Sequence, residues 1–176
     1  MSRIDDLMTR FADVRGSSIG RGPLHPTSPD PGPGPRIARF LDTYPRLRRD
    51  AGYVEFLQKY AGASIENEDL SQIVDILGFS DASTDMEELD GPVVDRNGFL
   101  MIGEAVYHLR DGIRNVGTLE HAFAYQVADE QARGLFHSLV SEKHPTPAFS
   151  FAFPSFENWL EDLIARDGWL EPPGHP

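Results

Sequence analysis

Apolar residues recur along this chain with two different periods. Four segments carry them at i, i+3, i+4 and i+7, the spacing that lays one apolar stripe along an α-helix. They are Ile4, Leu7, Met8 and Phe11; Ile37, Phe40, Leu41 and Tyr44; Tyr53, Phe56, Leu57 and Tyr60; and Phe156, Trp159, Leu160 and Leu163, the last running on to Ile164. These stripes predict core-facing helices rather than cofactor boxes. Pro45 stops the second, and Gly62 is placed to supply a left-handed position after the third. Ser155 and Gly168 are placed to cap and close the fourth.

Between the third and fourth helices the pattern becomes that of strands. Residues 73–79 (IVDILGF) are rich in β-branched and apolar types, and Asn97-Gly98 is a tight-hairpin signal between Val93-Val94 and residues 99–102. AFAYQV (122–127) and GLFHSLV (134–140) flank ADEQAR and predict a second hairpin, and FSFAF (149–153) predicts a short edge strand. Strands grouped between helices, without βαβ alternation, predict an α+β fold with a mainly antiparallel sheet flanked by helices. Eleven of the twenty residues 16–35 are Gly or Pro, which predicts a partly extended linker with neither ladder nor helix. Pro23, Pro26 and Pro29 fall at a polyproline period, compatible with a groove ligand or with a plain tether. The implied organisation is an N-terminal amphipathic helix (1–15), a linker (16–35), a domain (36–171) and a tail (172–176).

Composition changes this picture in two ways. The chain has 176 residues and no cysteine, so disulfides, thiol nucleophiles and cysteine-bound zinc are excluded. Its formal net charge of -12 is unevenly placed. Residues 1–60 hold ten Lys/Arg against seven Asp/Glu, whereas residues 61–176 hold six against twenty-one, a net charge of -15. Such a field repels phosphate backbones and anionic lipid, which argues against direct nucleic-acid binding and favours a basic partner. No apolar run approaches the roughly 18 residues of a membrane span. The N-terminus reads as neither a signal nor a transit peptide, so a cytoplasmic location and no membrane insertion are expected.

Catalytic signals are weak. No Walker loop, GxSxG elbow, HExxH or GxGxxG sits in its required context, and GSSIGRG lacks the strand–loop–helix frame of a phosphate cradle. Asp95-Arg96-Asn97-Gly98 resembles the start of a calcium loop, but Val106 stands where the bidentate Glu would fall. Among six histidines, no pair has metal-site helical spacing; His108, His121 and His137 fall where strands could bring them together. No metal, cofactor or catalytic residue is assigned. Two acidic clusters stand out: Glu66, Glu68 and Asp69, and Asp85, Glu87, Glu88 and Asp90 within DASTDMEELDG. Both read as loops at a sheet edge, either simply solvated or forming a recognition surface for a basic protein.

Three stretches in order carry a family resemblance. RIARFLDTYPRLRRDAGYVEFLQKYAG ends in a Y-x-x-F-L helix and a glycine, FLMIG is a strand with an Ile-Gly ending, and AFAYQVADEQARGLFHSLV precedes the S-F-x-x-W-L helix of FPSFENWLEDLI. Over residues 37–164 the chain resembles the SUKH superfamily of yeast cell-wall-synthesis regulators and their bacterial relatives. It departs from that pattern at Ala51-Gly52, where a proline is usual, and at Glu104-Ala105-Val106, in place of a glycine-rich loop. The resemblance implies a non-enzymatic α+β binding domain, and many bacterial members are immunity proteins that neutralise a toxin. The expectation is therefore an immunity-type protein with a basic toxin domain as partner. The alternative is a scaffold or regulatory adaptor docking through helix 3–15.

Overall fold

The computed structural model describes residues 2–21, 34–67, 71–79, 96–111, 114–141 and 148–169. Seven strands form one sheet: β1 (Ser17–Arg21), β2 (Tyr60–Glu66), β3 (Gln72–Leu77), β4 (Phe99–Asp111), β5 (Arg114–Gln126), β6 (Leu135–Ser141) and β7 (Ser150–Phe153). Their order in the sheet is their order in the chain, and every pairing is antiparallel. Among the described residues four α-helices accompany it: α1 (Arg3–Phe11), α2 (Gly34–Thr43), α3 (Ala51–Lys59) and α4 (Phe156–Ala165), with a 3₁₀ turn at Pro45–Arg49. This is the expected α+β architecture.

The described helices lie on one face of the sheet, and the strand period sorts residues between the two faces. In β3 the alternation is strict: Gln72, Val74 and Ile76 are buried, while Ile73, Asp75 and Leu77 are half-buried. Across the register the helix-covered face collects Ala63, Ile65, Val74, Ile76, Ala105, Tyr107, Phe123 and Tyr125. Trp159 of α4 is fully buried against this face, with its ring centroid 4.6 Å from that of Phe123. Gly103 of β4 makes room for it: a Cβ there would come within 2.7 Å of the indole. An irregularity between Met101 and Gly103 turns Ile102 into the core, where it is fully buried.

Asp50 ties the layers together. Its Oδ1 accepts from the Tyr53 amide at 3.1 Å, capping α3, and its Oδ2 accepts from Tyr125 Oη of β5 and from the Phe156 amide of α4, each at 2.7 Å. Burial, and then the Asp50 charge, push the Tyr125 phenol far above its ordinary value, so the hydroxyl stays a donor. Ser155 caps α4 as expected, and Gly168, at φ 77°, closes it through a bond from its amide to Leu163 O.

The structure departs from the sequence reading at two places and decides between open alternatives at a third. Ser17–Arg21, assigned to the tether, form β1 and pair with β2, because Gly16 at φ 77° turns the chain back and its carbonyl accepts from the Glu66 amide. Helix α1 packs on the domain. Ile4, Leu7, Met8 and Phe11 are buried, a Ser2–Asp5 capping box fixes its start, and Lys59 Nζ lies 2.9 Å from Asp5. That ammonium is the main cause holding the Asp5 carboxyl down to about 2. Finally, Gly62 does not close α3; the chain is already extended at Tyr60, and Gly62 lies within β2 at φ 110°, where the Gly78 backbone comes close. Val93-Val94, half of the expected first hairpin, lie outside the described residues.

Candidate functional site

No described helix packs on the second face of the sheet, which divides into an acidic half and an aromatic half. In the acidic half, Asp75 of β3 stands directly opposite Glu104 of β4. Two residues along, Glu66 of β2 faces Ile73, and Glu120 of β5 faces Val106, so four adjacent strands carry a carboxylate within one narrow band. Like charges directly opposed in a sheet repel. Among the described residues, none of these four side chains has a hydrogen bond or ion pair. Burial, then Glu66, raises the Asp75 carboxyl; burial, then Glu120 and Asp75, raises Glu104. The band is too spread for a cation: among the described residues no three His, Cys, Asp or Glu could hold a metal. The charge distribution instead matches several separate cationic side chains.

The aromatic half lies over β4, β6 and β7. Phe99 stacks on Phe149 with centroids 4.2 Å apart and meets Phe136 edge-on at 5.5 Å. Phe136 in turn meets Phe151 at 6.0 Å, and Phe151 on the edge strand is 57% exposed. Ala122 and Ala124 lie buried between the halves, beside Ser138, whose buried Oγ has no hydrogen-bond partner. Charged groups next to large aromatics that keep apolar area in solvent are the ingredients of a protein-binding surface.

The histidines are divided by the sheet. His121 and His137 meet on the helix-covered face, Nε2 to Nδ1 at 2.8 Å, while His108 falls on the other face opposite Thr118. Burial, and secondarily His137, pull His121 down to about 3, and burial lowers His137 as well. Both are neutral at neutral pH and share one hydrogen bond, which makes His121 a poor general base. Ser138 follows His137 in the strand and so points to the opposite face, away from the His121–His137 pair.

Of the residues expected from sequence, Glu66 is placed here, but as the last residue of β2 rather than in a loop at the sheet edge. It leaves the loop class because residues 60–66 continue directly from α3 into the sheet. Glu68, Asp69, Asp85, Glu87, Glu88 and Asp90 lie outside the described residues. Asp75, Glu104 and Glu120 were missed. The available signal was a single acid inside an apolar strand pattern, as in IVDIL and EAVYHL, rather than a run of acids. The chain matches no protein-family model, no curated protein and no solved structure. Among the described residues, no helix is long and apolar enough to cross a membrane.

Proposed function

We propose that this chain is an immunity-type protein, a non-enzymatic binder that neutralises a cognate bacterial toxin domain by seating it on the acidic and aromatic face of the sheet. The observation that carries this reading is the band of Glu66, Asp75, Glu104 and Glu120, four carboxylates on neighbouring strands that have no ion-pair partner among the described residues. A partner presenting Lys and Arg would relieve that repulsion and be steered in quickly. The Phe99–Phe136–Phe151 patch beside it would supply the apolar centre that binding energy needs. The SUKH resemblance and the net charge of -15 over residues 61–176 point to the same kind of partner.

The test uses the protein encoded beside this chain's gene as the probe. It should associate with the purified chain, and dissociation should speed up as salt rises from about 0.05 to 0.5 M. The triple variant Glu66→Gln, Asp75→Asn, Glu104→Gln should fold normally yet bind roughly tenfold or more weakly. Equal affinity of that variant, or affinity independent of salt, would overturn the reading.

A further inference from the structure

At the end of the sheet where α3 and α4 begin lies a cleft of about 260 Å³, whose lining includes none of the four carboxylates of the acidic band. In a chain with a net charge of -12, its wall carries three arginines, Arg46, Arg49 and Arg133. Arg46 is the decisive one. Its side chain is only 19% exposed, and its Nη1 is buried with no hydrogen-bond partner. Its Nη2 reaches Glu130 Oε1 at 3.6 Å, a carboxylate side chain that is itself 89% exposed. Arg49 and Arg133 are held in place by main-chain oxygens: both donate to Glu130 O, at 3.0 and 3.1 Å, and Arg133 also donates to Ala132 O. These bonds orient the guanidinium groups without neutralising them.

Two carboxylates also line the cleft, but both are engaged elsewhere. Asp50 accepts from Tyr53, Tyr125 and Phe156, and Glu157 leans toward Arg3 Nε at 3.4 Å. Leu47, Val127 and Pro154 give the cleft an apolar floor. A fixed guanidinium with an unused buried N–H, beside two more and above an apolar floor, matches a planar or tetrahedral oxyanion carried on a short apolar body. We propose that this cleft binds a small organic anion, a carboxylate or phosphate head whose oxygens take the Arg46 Nη1 proton and the free donors of Arg49 and Arg133. The volume fits a compact molecule rather than a nucleotide, since drug-sized ligands occupy roughly 300–1,000 Å³.

The experiment titrates the full chain with inorganic phosphate in one arm and hexanoate in the other, following backbone amide shifts. Saturable shifts at Gly52 and Gly134, which line the cleft, are expected in at least one arm. The arm that saturates at lower concentration names the head group. Arg46→Gln should weaken that binding roughly tenfold or more, as expected for losing a charge-assisted bond. Arg133→Gln alters an exposed side chain, so it should weaken binding without threatening the fold. Arg48→Gln, at a residue paired with Asp42 outside the cleft, should leave binding unchanged. No saturation in either arm, or equal binding by both the Arg46 and Arg133 variants, would overturn the proposal. Neither result bears on the toxin-binding face, whose test reads a different probe.

Discussion

The two faces of this sheet are built from alternate residues of the same strands, yet they obey different rules. On the helix-covered face each residue has a packing partner, from Val74 and Ile76 through Phe123 to Trp159, and small residues sit where large ones need space. On the other face acids oppose acids and Phe151 stands in solvent. The same backbone therefore supports one surface selected for stability and another whose arrangement costs stability. The second is where a binding function would leave its mark.

The largest expected effect tests that contrast directly. Trp159→Ala should cost about 4 kcal/mol in urea unfolding, because it empties a fully buried site beneath α4. Phe151→Ala, at an exposed side chain of the other face, should cost less than about 1 kcal/mol. Comparable costs would erase the distinction between the faces. A smaller effect comes from His121. Its folded value of about 3 lies below the unfolded value near 6.5, so the unfolded chain takes up the proton first as pH falls. The stability it contributes is complete above about pH 6.5 and is lost progressively below it, roughly 3 kcal/mol by pH 4. The lowered His137 acts in the same direction. His121→Gln should flatten this decline in stability measured against pH.

The smallest effect has the opposite sign and lies on the other face. Glu104 is raised by burial and by its acidic neighbours, so its ionised form destabilises the fold. Its favourable protonated contribution is present below the unfolded value and is lost as pH rises through the folded one. Glu104→Gln should therefore raise the midpoint of thermal unfolding at pH 7, by about 0.5–1 kcal/mol of stability, with the gain fading by pH 4. A stabilised variant that binds its partner less well would show the acidic band to be a functional cost.

The amphipathic helices were legible in the sequence because a 3.6-residue period over three turns is hard to produce otherwise. Ile4, Leu7, Met8 and Phe11 are buried as that period requires, and Ser155 caps α4. The long central hairpin was not legible at its true length. β4 and β5 each run thirteen residues, but Gly103 and Gly117 interrupt the apolar pattern. The sequence reading places its tight-hairpin signal at Asn97-Gly98, whereas β4 and β5 pair as far as Asp111 opposite Arg114. β1 was hidden because its ladder depends on β2, a partner more than forty residues away, and Ser-Ser-Ile-Gly has little strand preference of its own. The acidic band escaped for a related reason. Its members are separated by tens of residues, and only the register between strands makes them neighbours.

The clasp between the first and last helices has a consequence for how the molecule is made. The strands from β4 to β7 can pair as they emerge, since their contacts are near in sequence, whereas β1 must wait for β2. Arg3, however, reaches Glu157 and Glu161, and the floor under α4 needs Trp159. During synthesis the part of the apolar face beneath α4 must therefore wait uncovered until residues 156–165 leave the ribosome. The final helix acts as the latch of the fold, and assembly ends in one late step rather than in gradual accretion.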